Sequence, residues 1–174
     1  WWAWYQVTIL DWNFWTMKEK NIAFIDGQNL HLGTTSEGWS VDLKKFRIFL
    51  RDQYHIEEAY YFLGFISEEE EYFYNALQKA GFIVSFREHS SAMKWTKKGN
   101  VDVDIVFEVM RKLVIKEEFD RVVLVSWDGD YIKMVRFLME QDKLKRVLFP
   151  NGKPSSLYKK IRNTHYSYLK DVRN

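Results

Sequence analysis

Residues 121–131 read RVVLVSWDGDY, and the fold turns on how this stretch is interpreted. Val122 to Val125 is a four-residue apolar run, too short for a helix and rich enough in β-branched residues for a strand buried on both faces. It ends abruptly in Ser126, Trp127, Asp128, Gly129 and Asp130. In an open parallel sheet, ligands bind beyond the carboxyl ends of the strands, so Asp128 and Asp130 stand where a site would form. Taken alone, this segment reads better as a structural cap. Asp128 can cap a helix beginning near Gly129, with Asp130 favoured by the positive end of the helix dipole.

Working outward, strand and helix signals alternate on both sides. Ile22 to Ile25 is a second short apolar run, closed by Asp26, and Leu43, Phe46, Phe49 and Leu50 then recur at helical spacing. AYYFLGF from Ala59 reads as a strand, and Phe73, Ala76, Leu77 and Ala80 as a helix face that Gly81 can end. Ser67 and Glu70 have capping-box spacing, which assigns the acidic run 68–71 to a helix start. Phe82 to Phe86 is a strand, a helix follows from about Val101, and Ile132, Val135, Leu138 and Met139 form an inward helical stripe after the Arg121 strand. Val147 to Phe149 is another strand, and SSLYKKI and HYSYL predict a short helix and an edge strand. Repeated βα units argue for an α/β three-layer sandwich, with a mainly parallel central sheet and helices on both faces.

At 174 residues and 47% hydrophobic content the chain can bury one substantial core, which predicts one domain. It has no cysteine. That excludes disulfides, thiolate metal sites and a cysteine nucleophile, and it fits a reducing compartment. His31, His55, His89 and His165 are scattered and form no metal-ligand pair at helical spacing. A bound metal would therefore be held by oxygen, which selects a hard cation such as Mg2+ or Mn2+. From Gln141 onward nine Lys and Arg oppose only Asp142 and Asp171. Such a basic flank is either a solvated face or a surface for a phosphate polymer.

Residues 1–16, WWAWYQVTILDWNFWT, hold five of the eight tryptophans. They lack a basic start, a membrane-length apolar run and a small-residue cleavage site. Met17 followed by KEKNIAFID reads as a natural start, so the expected domain is 17–174, preceded by an aromatic extension of separate origin.

Three segments carry the chemistry. FIDGQN ends the first strand in Asp26, with Gly27 permitting a sharp turn and Asn29 three residues on. An Asx-type turn or helix cap is the structural alternative there. KKGNVDVDIVFEVM, residues 97–110, opens a helix that Asn100 can cap, with an inward stripe through Val106, Val109, Met110 and Leu113. Asp102 lies four residues before Val106 and three before Ile105, which turns its carboxylate toward the sheet edge. Asp104 shares a solvated, salt-bridged stripe with Glu108, Arg111 and Lys112. Asp26, Asp102 and Asp128 thus converge on one edge, and a cluster of buried like charges calls for a divalent cation.

FIDGQNL, KKGNVDVDIVFEVM and VVLVSWDGDY together resemble the signature segments of NYN domains, the LabA-like branch of the PIN-like nuclease superfamily, over about Lys20 to Leu169. The family usually carries a small residue where Trp127 stands, Phe at the place of Tyr131, and often an acid at that of Glu108. The resemblance implies a PIN-like sandwich and a metal-dependent ribonuclease. Asp26, Asn29, Asp102, Asp128 and Asp130 match its site, with Ser126 in support on the substrate side. Mg2+ or Mn2+ on Asp26, Asp102 and Asp128 would activate water for phosphodiester hydrolysis. The loop SSAMKWTKKGN offers Lys94, Lys97 and Lys98 for phosphates and Trp95 for stacking an unpaired base, so single-stranded RNA is the expected partner. A cytoplasmic protein without a membrane partner is expected, with a homodimer left open. The alternative function is a non-catalytic RNA-binding or assembly module of the same fold. An aspartyl-phosphate enzyme fits less well because DGQN lacks a second acid two residues after Asp26, and NGKPSS at Asn151 lacks the first glycine of a P-loop.

Overall fold

The computed structural model describes residues 19–64, 70–87, 101–161 and 163–172. Six strands form one sheet: β1 (Asn21–Asp26), β2 (Ile56–Leu63), β3 (Ile83–Phe86), β4 (Val122–Val125), β5 (Leu144–Phe149) and β6 (Tyr166–Tyr168). Their order across the sheet is β3-β2-β1-β4-β5-β6, and every neighbouring pair is parallel, including the edge strand β6. Parallel neighbours need crossover connections; the helices α1 (Gly27–Ser36), α2 (Leu43–Tyr54), α3 (Glu71–Ala80), α4 (Asp102–Val114) and α5 (Ile132–Glu140) supply them as far as β5, and the 3-10 turns Ser156–Lys160 and Asn163–His165 lead to β6.

The strands alternate strictly between two cores. Ile22, Phe24, Val122 and Leu124 face α4 and α5 through Ile105, Val109, Val135 and Leu138. Ala23, Ile25, Val123 and Val125 face the other way, against Leu30 of α1, Leu50 of α2 and Leu77 of α3. The central strands β1 and β4 are buried along their whole length, which is why they appear in the sequence as unbroken apolar runs. Helix α3 ends where expected, at Gly81 with φ of 92°, a conformation that a side chain would strain.

The structure departs from expectation in informative places. Strand β2 begins at Ile56, three residues before the apolar run, because it pairs with β1 from Asn21 onward while Glu57 and Glu58 stay exposed. β5 likewise begins at Leu144, since Lys145 bonds Glu19 and Arg146 Nη1 donates to the Thr164 carbonyl at 2.8 Å. Helix α4 is rotated slightly from the expected phase, so Ile105 and Val109 form the centre of its buried stripe and Met110 is only half-buried. Lys112, expected on the solvated face, is buried. Its stem lies inward and its ammonium bonds Glu117, sits 3.8 Å from Glu58 and lies 4.7 Å from the centre of the Tyr60 ring. Ser67 and Asn100, expected caps, lie outside the described residues.

Topology then places the site. The chain builds β1, β2 and β3 in one direction, and α4 carries it back to start β4 on the opposite side of β1. The switch point between β1 and β4 is where a doubly wound sheet opens a crevice at its carboxyl edge. Ile25 pairs with Val125, so the next residues, Asp26 and Ser126, leave the sheet side by side. Gly27 is needed here for space: a Cβ would stand 2.4 Å from Tyr61 Cε1 and 2.7 Å from the Phe62 carbonyl oxygen. Gly27→Ala is expected to cost about 1–3 kcal/mol by overpacking, read as a lower midpoint in urea unfolding.

Candidate metal centre

Asp26 closes β1 and caps α1. Its Oδ1 accepts the Asn29 backbone N–H at 2.9 Å, and its Oδ2 accepts the Asn29 amide at 2.7 Å and the Tyr131 hydroxyl at 3.0 Å. It is 1% exposed. Burial pushes its carboxyl above the ordinary aspartate value and the nearby Asp102 charge adds to the rise, while the Asn29 and Tyr131 hydrogen bonds oppose it.

Asp128 follows β4 and caps the 3-10 turn Gly129–Tyr131, its Oδ1 accepting the Asp130 N–H at 3.0 Å. Beneath it, buried Ser126 accepts the Asp128 N–H at 3.1 Å, and the buried Tyr158 hydroxyl donates to the Asp128 carbonyl at 2.7 Å. The structural roles read in the sequence for Asp26 and Asp128 are therefore both realised. They hold the two carboxylates in fixed orientations at the crevice.

Asp102, in the first turn of α4, is buried, whereas Asp104 is half-buried and lies 4.0 Å from Arg87. Carboxylate oxygens of Asp102, Asp128 and Asp130 lie within 4.8 Å of one another. Asp130 thus stands in the converging group, and Asp26, expected with Asp102 and Asp128, sits beside it with both oxygens engaged by Asn29 and Tyr131. Tyr131 ties the two parts together. Its hydroxyl donates to Asp26 at 3.0 Å and is pushed far above the usual phenol range by burial, then by the nearby Asp26 and Asp102 charges, so it stays protonated at any working pH.

The donor set suits a hard divalent cation. All three converging groups are carboxylates, the ligands such ions prefer, and among the described residues the Asn29 Oδ1 is buried without a hydrogen-bond partner. Sequence reasoning passed over Tyr131 and Tyr158 as contributors. Tyr131 lies within the quoted segment directly after Asp130, but the partner of its hydroxyl, Asp26, is distant in sequence and leaves no local signal. Lys94, Trp95, Lys97 and Lys98, expected to contact substrate, lie outside the described residues.

A doubly wound parallel sheet with carboxylates gathered at its switch point defines the class: a three-layer α/β domain with an acidic centre. The sequence model described as NYN domain matches residues 21–168, and the chain belongs to that family. It is 25% identical over 162 residues to "Low amplitude and bright protein LabA" of Synechococcus elongatus, spanning 87% of this chain and 84% of that protein. The crystal structure of VPA0982, a protein of unknown function from Vibrio parahaemolyticus, shares the fold with a TM-score of 0.67 at 22% identity, over 88% of this chain and 94% of that one. No described helix is long and apolar enough to cross a membrane.

The raised Asp26 carboxyl makes a signed prediction for the metal-free protein. A carboxyl that holds its proton more tightly when folded destabilises the fold once ionised, so the loss begins as pH climbs past the ordinary value of 3.8 and persists above the raised one. In a calorimetric pH series in chelator, the Tm difference between Asp26→Asn and wild type should therefore shift in the variant's favour as pH rises from below that ordinary value to 7, on top of a pH-independent loss from the acceptor that Asn cannot replace.

Proposed function

We propose that this chain is a metal-dependent ribonuclease that hydrolyses RNA phosphodiester bonds, with Mg2+ or Mn2+ held by Asp102, Asp128 and Asp130. The observation that carries the reading is the convergence of those carboxylates, delivered by α4 and by the β4 loop, at the switch point of a sheet whose family is PIN-like. When bound, the cation lowers the pKa of a coordinated water and stabilises negative charge on the phosphate and leaving oxygen.

The remaining steps belong to the protein. Asp128 arrives pre-oriented, its backbone fixed by Ser126 and Tyr158 and its carboxylate by the Asp130 N–H, and Asp102 is placed by the buried first turn of α4. Pre-organisation of this kind removes the reorganisation that free carboxylates would need. Asp26, held by Asn29 and Tyr131, adds negative charge beside the centre and strengthens its preference for a cation. Lys159 and Lys160 are exposed and can meet the backbone of a single-stranded substrate in the cytoplasm. Lys145 and Arg146 contribute to the basic skew of the sequence but are committed to Glu19 and to the Thr164 carbonyl.

A second reading has its own support. Asp26 and Asp128 both serve as caps, so the acids can be retained for structure in an RNA-binding module without catalysis. Two measurements separate them. Cleavage of labelled single-stranded RNA should require Mn2+ or Mg2+ and stop with excess chelator. Asp102→Asn and Asp128→Asn should each lower the rate at least ~100-fold, on the scale of losing one charge-stabilising group in an active site. Asp104→Asn, away from the converging oxygens, should stay near wild type; normal cleavage by Asp128→Asn would sink the nuclease reading.

Metal binding has an independent readout. Mn2+ at a hundred times its Kd should stabilise the wild type by about 2.7 kcal/mol, seen as a higher Tm. The shift should be largely lost in Asp102→Asn and Asp128→Asn and kept in Asp104→Asn.

A further inference from the structure

Beside the acidic centre lies an open cavity of about 360 Å3 whose walls differ in chemistry. Trp127 and Leu157 are its apolar sides, Lys153 and Ser155 bring a cation and a hydroxyl, and Asp128 and Asp130 form the rim shared with the candidate metal centre. Its size falls within the roughly 300–1,000 Å3 typical of small-molecule sites.

Each wall is held in place. The benzo edge of Trp127 lies against α1, where a Cβ on Gly33 would stand 2.8 Å from Cζ3, and the rest of the half-buried ring borders the cavity. The Ser155 N–H donates to the Trp127 carbonyl at 3.1 Å, so the two walls are joined through the backbone. Ser155 and Leu157 come close because residue 129 is glycine: a Cβ there would stand 2.4 Å from Ser155 Oγ. The turn carrying Lys153 is fixed by Asn151, whose Oδ1 accepts the Lys153 N–H at 3.0 Å. Lys153 is exposed and forms no ion pair with a described residue. The segment NGKPSS, which is no P-loop, thus furnishes one side of a cavity next to the carboxylates.

An anchored indole beside a cation that has no carboxylate partner among the described residues suits a flat π-system joined to an anion. We propose that this cavity is a nucleotide subsite: the base adjoining the phosphate at the acidic centre stacks on Trp127, and Lys153 pairs with the next phosphate along the strand. This rests on the nuclease reading for the identity of the polymer. The subsite favours an unpaired strand, because a base within a duplex has both faces covered and cannot reach the indole. It discriminates by stacking and leaves the hydrogen-bonding edges of the base unread, so sequence preference at this position is weak.

The test uses 5′-fluorescein single-stranded RNA 12-mers of one sequence, each carrying an abasic ribose at a different position. Wild-type cleavage at a mapped bond should fall about tenfold or more when the missing base is the one beside that bond, and little elsewhere, as expected for loss of one stacked base. Trp127→Ala should lower cleavage of the intact RNA by a similar factor and abolish the position dependence, whereas Trp127→Phe should keep it. Lys153→Gln should flatten the salt dependence of binding by about one counterion. Equal losses at every abasic position in wild type, or an unchanged position dependence in Trp127→Ala, would overturn the subsite.

Failure of the nuclease reading is distinguishable from failure of the subsite. If no cleavage occurs, or Asp128→Asn cleaves normally, the same series is read by fluorescence anisotropy in chelator. A single sensitive position that disappears with Trp127→Ala and persists with Trp127→Phe then supports the subsite on a binding protein. Identical binding by wild type and Trp127→Ala overturns it. Melting curves of both Trp127 variants separate lost packing against Gly33 from lost stacking, because lost packing has no preferred position along the RNA.

Discussion

The parallel pairing of β1 with β4, running from Ile22 opposite Val122 to Ile25 opposite Val125, is the constraint on which the rest depends. It joins two strands separated in sequence by nearly the whole of the first three βα units, and it does so at the point where the direction of sheet growth reverses. Both strands are apolar on both faces, so neither can remain exposed while the other waits. Once they pair, the residues just past their ends are neighbours by geometry. The acidic centre follows from sheet register more than from any local sequence preference.

That arrangement explains how charged groups are tolerated so close to two apolar cores. Asp26 is buried at the end of a strand, where unpaired backbone N–H groups of α1 and the hydroxyl of Tyr131 can reach it. Asp128 is supported from below by Ser126 and from the side by Tyr158. The acids are thus cap residues and candidate ligands at once. Capping does not compete with ligation, because a carboxylate has lone pairs to spare after accepting one or two N–H bonds.

Much of the fold was legible in the sequence, and the reason is specific. Strands buried on both sides leave unbroken apolar runs, as at Ile22–Ile25 and Val122–Val125, and helices facing one core leave stripes such as Ile132, Val135 and Leu138. What was hidden depends on contacts distant in sequence. The first residues of β2 look like loop because Glu57 and Glu58 are charged, yet Ile56 and Glu58 pair with β1 across a register shift at Glu57. Lys112 looks solvated because its burial requires Glu117, Glu58 and Tyr60 to meet its ammonium. At the site, spacing separated Asp102 from Asp104, since helical phase is local. Spacing did not separate Asp26 from Asp130, because the Asp26 carboxylate is engaged by Tyr131 from far along the chain and Asp130 meets Asp102 only in the fold, contacts that leave no periodic trace.

The contact between Gly33 and Trp127 links two positions nearly a hundred residues apart into a single choice. With Trp at 127, residue 33 is confined to glycine, since a methyl group there meets the indole on one side and Pro150 on the other. Shrinking residue 127 would release only half of that restriction, because Pro150 remains 2.5 Å from the same point. The route by which such a chain can exchange its aromatic wall for a smaller one is therefore ordered. Residue 127 changes first, leaving a void against α1, and residue 33 can refill it only after the β5 end at Pro150 has also moved. While this indole is in place, residue 33 is held to glycine by neighbours that have no part in the chemistry.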